Sequence, residues 1–148
     1  MTGRRTGGEE AALNLGLFGL GTVGSGVVEL LGRRNNATAR PQLALKKIVE
    51  KDLSRCDKVS VRPELVRTEP EWILDDPDID TVIEVIGGLH PAEEFIRAAL
   101  AAGKNVVTAN KAVLARVGAD VYSEARNRGC SVGVRAAHIA SFVSSTAS

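Results

Sequence analysis

Aromatic side chains are scarce in this 148-residue chain: phenylalanine, tryptophan and tyrosine make up 3% of it, too few to stack a row of bases. An excess of either charge is also missing. Nineteen lysines and arginines face 18 aspartates and glutamates, and the basic residues are scattered apart from Arg33-Arg34 and Lys46-Lys47. Nucleic acid and anionic membranes are therefore not expected partners. No apolar stretch approaches the roughly 18 residues that suggest a membrane span. The two cysteines, Cys56 and Cys130, have no C-x-x-C spacing and no nearby histidine, which fits reduced thiols better than a disulfide framework. Met1 to Glu10 is polar and charged without the apolar centre of a secretory leader, so residues 1–11 read as a flexible tail. These absences leave a cytoplasmic single domain, long enough to bury roughly two-thirds of its unfolded surface.

What the chain does have is glycine in a pattern. Gly19, Gly21 and Gly24 form a G-x-G-x-x-G, a weak signal alone that gains weight from its flanks. Upstream, Leu13 to Phe18 is a short apolar run suited to a buried strand. Downstream, Val23, Val27, Val28, Leu30 and Leu31 recur at helical spacings, with Glu29, Arg33 and Arg34 on the other side. Where a strand turns into a helix, each glycine has a task. Gly19 permits the turn, Gly21 admits a pyrophosphate to the backbone, and Gly24 lets helix and strand approach. The helix start then faces the anion with free N–H groups and the positive end of its dipole. A strand–helix turn with no ligand is the alternative.

The rest of the chain keeps alternating. Leu43 to Val49 reads as a second strand. Asp52 to Pro77 is irregular, with a short strand at Val59 to Arg62 or at Leu65 to Arg67. Thr81 to Ile86 is a strong strand signal ended by Gly87-Gly88. A helix from Pro91 to about Ala102 carries Phe95, Ile96, Ala99 and Leu100 on one face and stops at Gly103. Asn105 to Thr108 reads as a strand. Asn110 is placed to cap the next helix, whose stripe is Val113, Leu114, Val117 and Val121, and Gly129 ends it. Ser131 to Val134 supplies a last strand. Such alternation predicts an α/β fold, a doubly wound parallel sheet of Rossmann type, in one dinucleotide-binding domain over residues 12–135. Ligands of such sheets lie beyond the carboxyl ends of the strands, at the switch in strand order. Gly19 to Gly24, Gly87 to Leu89 and Thr108 to Lys111 should meet there.

The pieces "GLGTVG", "EVIGG" and "VVTANKA", in this order and spacing, resemble the nucleotide-binding domain of homoserine dehydrogenases, from about Leu15 to Gly129. The resemblance implies hydride transfer between NADPH and aspartate β-semialdehyde, giving homoserine, on the branch to threonine and methionine. The cofactor carries the hydride chemistry, and the protein supplies placement and proton management. It also implies that Gly19, Gly21, Thr22, Val23 and Gly24 hold the pyrophosphate and that Gly87 and Gly88 border the ribose and nicotinamide. Thr108 and Lys111 match the family's "TANK" motif, whose lysine assists proton transfer at the substrate carbonyl. An ammonium beside a carbonyl oxygen can donate as hydride arrives, and partial burial would tune it for this. A solvated lysine at a helix start is the plainer reading of Lys111, although its charge is poorly placed against the dipole there.

Cofactor choice turns on Val49 to Arg55. Glu50 lies where an acidic residue grips the ribose hydroxyls of NAD, whereas Lys51 and Arg55 are placed to receive the 2′-phosphate of NADP. The family commonly has arginine at the position of Lys51, which favours NADP, with NAD the alternative; lysine would act as a point charge, without arginine's fork.

The family's next features are a Phe-Glu-Ala stretch and a glycine-rich loop ending in Ile-Pro. Cys130 to Ser141 lacks them, so 136–148 reads as a divergent tail. A substrate-binding and dimerisation domain, with acidic residues and a second lysine, is also absent from the 148 residues. The ending fits a truncation, a shifted frame or a short relative. Three expectations follow: a dehydrogenase domain, homo-oligomeric and active once a substrate domain is supplied; a dinucleotide-binding or regulatory module without turnover; or an inert fragment with an exposed sheet edge. Asp76 to Asp80 imitates a calcium loop but has Thr81 where glycine is needed, and so reads as a solvated turn. His90 and His138 lack companion ligands at metal-binding spacing. Trp72 reads as an anchor for its loop.

Overall fold

A computed structural model describes residues 13–36 and 42–134; the tails expected at 1–11 and 136–148, and His138, lie outside the described residues. The elements run β1 (Leu13–Phe18), α1 (Thr22–Asn36), β2 (Leu43–Val49), two 3₁₀ turns (Leu53–Lys58 and Pro63–Leu65), β3 (Val66–Arg67), α2 (Glu71–Leu74), β4 (Thr81–Glu84), α3 (Ala92–Ala101), β5 (Asn105–Thr108), α4 (Lys111–Asn127) and β6 (Val132–Gly133). All strand pairs are parallel, in the order β3-β2-β1-β4-β5-β6. The chain thus builds one half of the sheet outward from β1 and then crosses back to build the other. The switch in strand order falls between β1 and β4.

Alternation along each strand divides the core between two faces. Phe18, Val82 and Val106 point to one side, where Ile96 and Leu100 of α3 and Val113 and Val121 of α4 cover them. Leu17, Ile83 and Val107 point to the other, against Val27 and Leu31 of α1. All four residues of β4 are buried, as a central strand covered on both faces requires. Burying one side chain such as Ile96 contributes about 1.5–3 kcal/mol. Phe95 stacks on Phe18 with ring centroids 4.7 Å apart.

The helix ends follow from local chemistry. The side chain of Asn110 accepts the Val113 N–H at 3.1 Å, the expected cap of α4. Glu93 and Glu94 occupy the first turn of α3, where the dipole favours them. In the irregular stretch the strand forms at Val66–Arg67, the second of the two expected places. Trp72 does anchor this region: its ring N–H donates to the Leu65 carbonyl at 2.9 Å, and Lys47 Nζ lies 3.8 Å above the ring. The Asp76–Asp80 turn is tied down more firmly than a solvated turn would be. Lys47 pairs with Asp76 at 3.0 Å, and the buried Lys104 ammonium donates to the Asp76 and Ile79 carbonyls. Burial lowers the Lys104 pKa. Among the described residues, no helix is long and apolar enough to cross a membrane.

Candidate cofactor site

The three segments expected to converge do so at the carboxyl end of the sheet. In the turn after β1, Gly19 has φ of +108°, a conformation that side chains rarely adopt. Its N–H donates to the Val49 carbonyl at 2.9 Å, which ties the turn to β2. A Cβ on Gly24 would stand 2.1 Å from the Gly19 carbonyl oxygen. The fold itself therefore needs glycine at both positions. Gly21 is different. The single side chain near its face is Arg55, whose Nη1 would lie 2.9 Å from a Cβ there. No backbone crowds Gly21. The helix that follows, α1, has no acidic residue in its first turn to compete for an anion.

The β2 side of the switch is organised by Glu50. It is 7% exposed, and its two carboxylate oxygens accept the Leu20 and Asp52 N–H groups, each at 2.7 Å. Glu50, near the position expected of a ribose-gripping acid, staples the glycine turn to the chain after β2. Arg55 leans over this staple, with Nη1 3.6 Å from Glu50 Oε1 and Nε 3.8 Å from Asp52 Oδ2. Asp52 caps the 3₁₀ turn that carries Arg55, and its bonds from the Ser54 hydroxyl and N–H hold its pKa below the usual carboxylate value. Lys51 is exposed beside them.

On the other side, Val23, Val85, Ile86, Gly87, Ala109 and Asn110, with Lys111, line a cleft of about 280 Å³. Gly87 and Gly88 are exposed, and a Cβ on either would meet nothing within 4 Å. Thr22 and Val23 open α1 with exposed side chains; Val23 forms the cleft's rim instead of joining the buried stripe. Lys111 begins α4 and is exposed at the cleft. Thr108 is fully buried, and its hydroxyl faces inward to Glu84 rather than into the cleft. Glu84 itself, the first residue of the "EVIGG" piece, is buried and bonded to both loops, a role the sequence reading did not assign.

A family model described as "Homoserine dehydrogenase, NAD binding domain" matches residues 19–135. The chain belongs to this family. It is similar to the homoserine dehydrogenases of Bacillus subtilis, 40% identical over 124 residues, and of a Synechocystis species, 41% identical over 126 residues. These alignments cover 82% and 84% of the chain, but 29% of each relative. The chain thus spans less than a third of the length of these curated relatives. Among solved structures, a homoserine dehydrogenase from Thiobacillus denitrificans superposes with a TM-score of 0.76 at 35% identity, over 83% of this chain and 29% of that one. The family is a nicotinamide-dinucleotide-binding domain, and its match covers all three converging loops.

Proposed function

We propose that this chain holds the cofactor of a homoserine dehydrogenase, with NADPH lying across the β1–β4 switch. The pyrophosphate rests on Gly19 to Gly24, the adenosine half lies over β2, and the nicotinamide half enters the cleft between Gly87-Gly88 and Lys111. The observation that carries the reading is the contrast among the glycines: Gly19 and Gly24 are demanded by the turn's conformation and packing, whereas a Cβ on Gly21 would meet only the movable end of the Arg55 side chain. Arg55 and Lys51 favour NADP over NAD, because they set two positive charges where a 2′-phosphate would lie. Arg55 is the better anchor, since Glu50 and Asp52 already hold its guanidinium near the turn. Thr108 contributes from behind the wall, through Glu84, and Lys111 supplies the proton donor. A lysine ammonium exposed at the cleft can donate to the alkoxide that forms as aspartate β-semialdehyde takes up hydride. The aldehyde itself, and any assembly into oligomers, would be held by a substrate domain.

Fluorescence titration with NADPH and NADH tests binding; tighter binding of NADPH is expected, and no binding of either refutes the reading. Aldehyde-dependent NADPH oxidation is then followed with the chain alone and with a separately expressed substrate domain. Turnover in the mixture supports the dehydrogenase, whereas cofactor binding without turnover in either favours a non-catalytic module.

A further inference from the structure

Glu84 is the last residue of β4, and none of its surface reaches solvent. A carboxylate in such a place needs donors, and the hydrogen bonds it receives come from neutral groups. The Thr108 hydroxyl donates to Oε1 at 2.5 Å, and the Ile86 N–H donates to Oε2 at 2.7 Å. Burial raises its pKa in spite of these bonds. Its neighbours across the two flanking strands are Phe18 and Thr108. An apolar side chain would fill the space without burying a charge, so the carboxylate is better explained by what it joins.

It joins two loops. Ile86 leads into the Gly87-Gly88 turn, and Thr108 leads into α4. From Thr108 the bonding continues: its Oγ1 accepts the Asn110 N–H at 3.0 Å, and the Asn110 amide donates to the Ile86 and Gly88 carbonyls at 2.9 and 2.7 Å. The ring closes on Ile86, which gives its N–H to Glu84 and its carbonyl to Asn110. Both rims of the cleft are thereby fixed to one buried group. Glu50 and Arg55 lie across the switch on the β1–β2 side and share no bond with this ring, whereas the glycine turn packs against Ile86, whose Cγ1 would lie 3.2 Å from a Cβ on Gly19.

We propose that Glu84 is a positioning residue for the nicotinamide half of the cofactor, setting the width of the cleft and the place of Lys111 by tying the Gly87-Gly88 turn to the start of α4. The proposal rests on the dinucleotide reading above. It predicts that loosening the ring weakens one half of the ligand and spares the other.

Two near-isosteric variants of the full 148-residue chain test it. Glu84→Gln keeps the shape but cannot accept from both donors unless the Thr108 hydroxyl turns round. Thr108→Val keeps the carboxylate and removes the hydroxyl. Folding is checked by circular dichroism and melting, and binding of NADPH and of adenosine 2′,5′-bisphosphate, which lacks both the nicotinamide and the ribose that carries it, is measured by calorimetry. In both variants NADPH should bind roughly tenfold more weakly, the scale of one lost buried hydrogen bond. Binding of adenosine 2′,5′-bisphosphate should stay within about twofold, because Glu50, Asp52 and Arg55 share no hydrogen bond or ion pair with the ring. Equal weakening of both ligands, or no change in either, overturns the positioning role while leaving the dinucleotide reading intact. If one variant fails to fold, the other decides. If both unfold, Glu84 supports the whole fold rather than the cleft, and the proposal falls. If the unaltered chain binds neither ligand, the dinucleotide reading fails and takes the proposal with it.

Discussion

Replacing Gly21 by alanine adds one methyl group at the point where the fold leaves the backbone open. The new Cβ would stand 2.9 Å from Arg55 Nη1, the far end of a flexible, half-exposed side chain that can swing aside. The native fold therefore loses little, and the alanine restricts the unfolded chain, which by itself stabilises by about 0.4–1 kcal/mol. A melting temperature within about 3 °C of the unaltered chain is expected, since 1 kcal/mol shifts a domain of this size by roughly that much. Ligand binding is another matter. The methyl occupies the surface on which the pyrophosphate would rest, and NADPH affinity should fall at least about tenfold, or 1.4 kcal/mol. Gly24→Ala is the control with the opposite signature. Its Cβ would meet the Gly19 carbonyl oxygen at 2.1 Å, a backbone atom that cannot yield without opening the turn. Overpacking of this kind costs about 3 kcal/mol or more, so melting should fall by roughly 10 °C. Differential scanning fluorimetry with and without NADPH reads both effects. A Gly21→Ala chain that binds NADPH like the unaltered one refutes the phosphate-facing role. A Gly24→Ala chain that melts normally refutes the packing behind it.

Three further outcomes follow from the same geometry. Lys111→Ala should leave NADPH affinity within about twofold, yet lower turnover reconstituted with a substrate domain by about 10²–10⁴, the range of general acid catalysis; surviving turnover removes the lysine from the chemistry. Arg55→Ala should weaken NADPH roughly tenfold and NADH much less, with the difference shrinking as salt screens the exposed charge; equal losses would place the guanidinium on a part common to both cofactors. The raised pKa of Glu84 means that the folded chain holds this proton more tightly than the unfolded chain does. Its stabilising contribution is complete below the ordinary value of 4.5 and is lost as pH rises through the raised one. Urea titrations should show the stability of the unaltered chain declining with pH relative to Glu84→Gln in that window, and a pH-independent difference contradicts the assignment.

Much of this site was legible because its signals are local. The strand, the glycine turn and the helix occupy one stretch from Leu13 to Asn36, and Asn110 caps a helix that begins at the next residue. The missing parts involve partners far apart in the chain. Glu50 sits where a ribose-binding acid belongs, and nothing near it announces that the Leu20 N–H, 30 residues earlier, will take its carboxylate. Glu84 opens the "EVIGG" piece, but nothing near it gives it a task until Thr108, 24 residues later, is brought alongside by β5. Gly16 looks like a weakness in β1, yet a Cβ there would come within 2.7 Å of the Ile73 side chain. Val23 fits the helical period but falls beyond the sheet's end, where it is 51% exposed and has no core to enter. Periodicity reports which face of a helix is apolar; it does not report where the sheet beneath it stops.

The central claim is that a cofactor's diphosphate lies against bare main chain between β1 and α1. Amide spectra of the isotopically labelled chain, recorded with and without saturating NADPH and NADH, test this most directly. The account predicts large shifts at the amides of Gly19 to Gly24, together with a rise in melting temperature of several degrees at about 100-fold saturation. Unmoved amides and an unchanged melting temperature with both dinucleotides would contradict it.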